Sequence, residues 1–216
     1  RYKGTKIVTV TPDYSEAAKF ADLWLAPKQG TDAALAMAIG HVILKEYHLA
    51  GKSPYFENYC RQYTDMPMLV KLVKREGRYV PDRFLRAADF DGGLGEANNP
   101  DWKTVAVAEL SGKIVAPRGT VGFRWGEQGK WNLEPKAGGG AEIKTRLSLI
   151  KTRDHALPVA FPYFGGREHE HFTASKHEDV LVRNVPAMRV KLKDGEALAA
   201  TVFDLLVANY GIDRGL

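Results

Sequence analysis

The chain has 216 residues, 44% apolar and 26% charged, with a net charge of +5, enough for one large domain or two small ones around a sizeable core. Its lysines and arginines are scattered, and the densest cluster, Lys71 to Arg78, is broken by apolar residues, so no nucleic-acid-reading stripe is expected. Cys60 stands alone, which excludes an internal disulfide and a cysteine cluster for zinc or iron–sulfur built from this chain, and no run approaches the roughly 20 apolar residues of a membrane span.

Ile7, Val8 and Val10 form a β-branched run suited to a buried parallel strand. It enters an acidic turn at Thr11-Pro12-Asp13. Tyr14 to Asp22 fits a short helix with Ala17, Ala18, Phe20 and Ala21 turned inward. Leu23-Trp24-Leu25 reads as a second strand stopped by Pro27, and a glycine turn, Gln29-Gly30-Thr31-Asp32, follows with Asp32 at an N-cap position. The helix predicted from Ala33 to about Leu49 is apolar on most faces, so burial on more than one side is expected. His41 and His48, seven apart on it, read as structural.

Tyr55 to Tyr63 looks like an aromatic amphipathic helix. Met68 to Val73 and Arg78-Tyr79-Val80 read as a hairpin across Glu76-Gly77, and Asp89 to Pro100 as loop. Thr104 to Val107 and Lys113 to Val115 flank a Ser111-Gly112 turn. Gly119 to Trp131 is rich in glycine, and Ala137-Gly138-Gly139-Gly140 predicts a flexible excursion. Arg146 to Ile150 reads as a strand, as do Val180-Leu181-Val182 and Met188 to Leu192. A Lys193-Asp194-Gly195 turn and a helix from about Thr201 to Asn209 close the chain. The fold class expected is α/β: a partial Rossmann-like parallel sheet with a β-α-β-α start, β-rich hairpin insertions and a C-terminal helix. The expected division is an α/β portion over 1–50 and a mixed, hairpin-rich continuation over 51–216.

Ligands of open parallel sheets bind at the carboxyl ends of the strands. The loop after each of the first two strands is therefore the candidate nucleotide site. Asp13 has the chemistry to accept bonds from ribose hydroxyls, although taken alone it is simply a turn residue. Gly30 permits close backbone approach, Thr31 and Asp32 can cap a helix, and a carboxylate here can instead pair with the adjacent N–H donors of a guanine edge. Neither a Gly-x-Gly-x-x-Gly fingerprint nor a Walker lysine loop is present. His169, His171 and His177 lack the spacing of a known zinc motif and read as an exposed loop, and no Ser-His-Asp order is defensible.

The blocks RYKGTKIVTVTPDY, DLWLAPKQGTDAALAMAIGHV, YTDMPMLV, NNPDWKTVA, GFRWGEQGKWNLE, FPYFGG and TVFDLLVANYG carry a resemblance over the whole chain. It resembles the catalytic alpha subunits of bacterial membrane-bound respiratory nitrate reductases, in the dimethyl sulfoxide reductase superfamily. The resemblance implies a molybdenum bis(molybdopterin guanine dinucleotide) cofactor and reduction of nitrate to nitrite with quinol-derived electrons in anaerobic respiration. It further implies an iron–sulfur beta subunit and a membrane haem gamma subunit as partners, and a peripheral place on the cytoplasmic face of the inner membrane. By position, Thr11, Pro12, Asp13, Gln29, Gly30, Thr31 and Asp32 would hold the guanosine part of one dinucleotide. The ligands of molybdenum and of the iron–sulfur cluster would lie outside this chain, so Asp65, Asp89 and Asp204 are not assigned to metal. The start at Arg1, with Met37 the first methionine, leads to the expectation of an internal fragment that is inactive alone and binds no cofactor by itself. The alternative is a non-catalytic interaction module, which exposed Trp125, Trp131 and Phe161 would favour.

Overall fold

The computed structural model describes residues 3–50, 53–96, 98–119, 136, 140–151, 156–162 and 180–214. Two strands open the chain: β1 (Val8–Val10) and β2 (Leu23–Leu25) pair in parallel, Val8 opposite Leu23 and Val10 opposite Leu25. Helix α1 (Glu16–Lys19) joins them, and α2 (Asp32–Val42) follows β2. The α2 rod then widens into a π-helical segment, Ile43–Ala50, before α3 (Pro54–Tyr63).

The body is a six-stranded mixed sheet in the order β8-β7-β4-β3-β10-β9. Its strands are β3 (Leu69–Arg75), β4 (Arg78–Phe84), β7 (Ala156–Pro162), β8 (Val180–Pro186), β9 (Met188–Leu192) and β10 (Gly195–Thr201). Only the β4–β7 pair is parallel, with Tyr79 opposite Val159. A short hairpin of β5 (Ala106–Val107) and β6 (Ile114–Val115) forms a separate two-stranded sheet bridged to the body at Met68 and Ala106, and α4 (Val202–Asn209) leaves β10 directly.

Alternation along the central strands sends side chains to two cores. Leu69, Ala197 and Ala199 face a cluster with Leu85, Val105, Val107, Leu149 and Val190. Val70, Leu72 and Ala200 face the opposite cluster with Val159, Phe161, Val185 and Leu205. A third cluster, with Leu44, Cys60, Leu147, Phe203 and Val207, joins the π-helical segment, α3 and α4.

Several expectations are corrected. Helix α1 has four residues, and of the four apolar positions expected to pack, only Ala18 is buried. β1 is parallel as expected but exposed, Val8 at 55% and Val10 at 47%. α2 buries no residue, because the two-stranded sheet is too narrow to cover an apolar rod. Residues 146–150 form no strand: the Leu149 N–H donates to the Asp204 carboxylate at 2.8 Å instead of to a neighbouring strand. Phe161 is buried, which removes it as a mark of an interaction module. Trp125, Trp131, His169, His171 and His177 lie outside the described residues.

Candidate functional site

The parallel register fixes the site's geometry. The Thr11 N–H donates to the Leu25 carbonyl at 3.1 Å, carrying the ladder one residue past β1. Both chains therefore leave the sheet on the same rim, β1 into Thr11-Pro12-Asp13 and β2 into the turn that ends at Asp32.

Two contacts hold the first turn. The Trp24 indole N–H crosses from β2 to donate to the Thr11 carbonyl at 2.9 Å, and Tyr14 meets the Trp24 ring edge-on at 5.2 Å. At the other end of the pair the Asp22 carboxylate accepts the Ile7 N–H at 2.8 Å, while the Asp22 N–H returns to the Ile7 carbonyl. These three residues were not selected from the sequence.

The second turn is closed by Thr31, whose hydroxyl donates to the Lys28 carbonyl at 2.6 Å and whose N–H donates to the same oxygen at 3.1 Å. Gly30 sits at φ +78°, and an added Cβ would meet nothing within 4 Å. Its backbone angle by itself favours a glycine there. Thr31, not Asp32, holds the N-cap position, and its side chain makes no cap bond. Asp32 is the first helical residue, where its charge complements the helix dipole. The expected capping role of Asp32 is thus corrected, and its carboxylate is exposed like that of Asp13. Among the described residues no side chain pairs with either carboxylate. Thr11 and Thr31 are half-buried, and Pro12, Gln29 and Gly30 are exposed.

The rim thus offers two carboxylates, a left-handed glycine and exposed backbone. Those carboxylates accept hydrogen bonds from hydroxyls and N–H groups. Among the described residues no group of three His, Cys, Asp or Glu is placed to hold a metal ion. Asp89 and Asp204 are taken up internally, by Arg83 and by Arg214. Among the described residues, no helix is long and apolar enough to cross a membrane.

Comparison with known proteins identifies the family. The family profile described as molybdopterin oxidoreductase matches residues 1–157. The respiratory nitrate reductase 2 alpha chain of Escherichia coli (strain K12) is 59% identical over all of this chain, and the respiratory nitrate reductase 1 alpha chain of the same organism 57%. The nitrate reductase alpha chain of Bacillus subtilis (strain 168) is 41% identical, again over the whole chain. The chain spans 17% of the length of each of these relatives. The chain belongs to the molybdopterin oxidoreductase family.

Proposed function

We propose, with that membership as premise, that this chain is part of a molybdenum enzyme that reduces nitrate to nitrite. Its first fifty residues form the α/β portion that holds the guanosine end of a molybdopterin guanine dinucleotide. The observation that carries the reading is the parallel pairing: two strands that end on the same rim, each followed by a loop that bears an exposed carboxylate.

On this reading Asp13 accepts hydrogen bonds from ribose hydroxyls. Asp32 accepts the paired N–H donors of guanine, a charge-assisted contact that adenine, whose N1 is an acceptor, does not copy. Gly30 lets the backbone come close, Thr11 and Pro12 shape the first turn, and Gln29 and Thr31 shape the second. The cofactor, when bound, supplies the oxygen-atom transfer and electron chemistry. The residues of this chain bind and orient it. The complete enzyme would work with an iron–sulfur beta subunit and a membrane haem gamma subunit, passing quinol electrons to nitrate from a peripheral place on the inner membrane. Its metal and cluster ligands would come from other parts of the alpha subunit, so the 216-residue chain alone is expected to show no nitrate reduction.

Calorimetric titration with GMP and AMP tests the reading. GMP is expected to bind more tightly than AMP, and Asp32→Ala to weaken GMP by about 10-fold or more, the worth of a charged pair of hydrogen bonds. Asp13→Ala should weaken GMP and AMP alike. Equal binding of the two nucleotides, or an Asp32→Ala chain that binds GMP as before, defeats the assignment.

A further inference from the structure

The first fifty residues meet the sheet-bearing body along one face of α2 and its π-helical continuation. Gly40 lies against the Tyr210 ring, where an added Cβ would come within 3.1 Å. His41 Nδ1 and the Tyr210 carbonyl are 2.9 Å apart, a bond that requires the proton on Nδ1. Leu44 and Leu49 enter the cluster formed by Cys60, Phe203, Val207 and Ile212.

His48 sits within this joint. It is 9% exposed, its ring lies 5.1 Å from that of Phe56 and 5.0 Å from that of Phe203, and its buried Nδ1 has no hydrogen-bond partner. A neutral imidazole tolerates this site, with Nδ1 as an idle acceptor. An imidazolium would bring a second N–H and a full charge between two phenyl rings.

The charged groups that face it do not relieve that burden. From α3 come Glu57 and Arg61, already paired with each other at 3.1 Å. From the C-terminal tail comes Arg214, bonded to Asp204 of α4 at 2.9 Å. Burial first, then the two arginines, hold the imidazole below its ordinary value against the pull of Glu57.

We propose that His48 is a proton-sensitive latch: neutral, it seals the joint between the first fifty residues and the body, and protonated, it loosens that joint. The proposal goes beyond the cofactor reading and holds whatever the rim binds. The sign follows from linkage. The sealed state binds fewer protons than the loosened one, in which His48 titrates near the ordinary value of about 6.5. Docking is therefore fully present above about pH 6.5 and weakens below it, by up to about tenfold in equilibrium constant per pH unit. His41, bonded through Nδ1 to the Tyr210 carbonyl, serves as the control.

Hydrogen exchange read by mass spectrometry on the 216-residue chain, corrected for intrinsic rates, tests the latch across pH 7.5 to 5.5. Protection over residues 32–50 is expected to fall relative to β3 and β10 as the pH drops below about 6.5. His48→Gln should abolish the selective fall and His41→Gln should keep it. A wild-type chain without the fall, or a His48→Gln chain that retains it, overturns the proposal. Should His48→Gln fail to fold, NMR titration of the wild-type ring decides. A midpoint below the ordinary histidine value supports the latch, and one at or above it refutes it.

Discussion

Asp204 shows how much one side chain organises here. It is fully buried, and both oxygens are saturated. One accepts the Ser148 hydroxyl at 2.6 Å and the Arg214 guanidinium at 2.9 Å; the other accepts the Leu149 N–H at 2.8 Å and the Thr201 hydroxyl at 2.9 Å. The Thr201 oxygen in turn accepts the Asp204 N–H, capping α4. Four parts of the chain therefore meet on one carboxylate. Asp204→Ala removes the carboxylate that pairs with Arg214 and accepts the Leu149 N–H, and is expected to cost about 3–5 kcal/mol in urea unfolding. Asp89 gives the second prediction at this scale. Burial works to raise its carboxyl, but the two Arg83 bonds, the Arg86 N–H and the Arg83 and Lys71 charges outweigh it and hold the group below the usual carboxylate range. A depressed folded value means stability present above the unfolded value, about 3.9, and lost as the pH falls through the folded one. Arg83→Gln should move the Asp89 midpoint upward in an NMR carboxyl titration. An unmoved midpoint would show that the Arg83 pair contributes nothing.

At the scale of elements, local chemistry was legible and long-range pairing was not. Glu76-Gly77 announced a hairpin, and the register joins Arg75 to Arg78 across a two-residue turn with φ +50° at Glu76 and +82° at Gly77. Positive φ at both central positions defines a type I′ turn, in which a glutamate is strained and an asparagine is not. Glu76→Asn is expected to raise stability by about 0.5–1 kcal/mol and Gly77→Ala to lower it by about 1–2 kcal/mol, in thermal or urea unfolding. Nothing lies within 4 Å of a Cβ at Gly77, so the loss there would be conformational alone. If Gly77→Ala were neutral, the turn type would be wrong. By contrast, nothing local marks β7 as the parallel neighbour of β4, since the partners Tyr79 and Val159 are joined by a long excursion. The strand expected over 146–150 failed for a related reason. Leu147 and Leu149 alternate as a strand would, but the backbone between them is claimed by Asp204, a residue no local window includes. At the candidate site the two loops were legible because each follows its own strand. The roles of Trp24 and Asp22 were not, because each bonds across the pair.

For the whole molecule the decisive property is where apolar surface is left uncovered. Most of the large exposed apolar side chains among the described residues lie between Val8 and Tyr63, while the six-stranded sheet is packed on both faces. The sequence predicted burial for β1 and α2 because parallel sheets and apolar rods are normally covered on both sides. A layer that covers them is not among the described residues. Val8, Val10 and Leu23 together present an open apolar face on the β1–β2 pair, at 55%, 47% and 52% exposure. Contiguous apolar faces of this kind drive association when they have no partner. The purified 216-residue chain is therefore expected to self-associate with rising concentration in sedimentation velocity and to bind an apolar dye. The double substitution Val10→Lys with Leu23→Lys should shift it toward monomer. Both positions lie on exposed strand faces outside the three cores, so circular dichroism should show the sheet and helix content unchanged. A wild-type chain that stays monomeric at high concentration and ignores the dye would mean that this face is closed by the chain itself. The open α/β portion drawn above would then be wrong in its packing, whatever its rim binds.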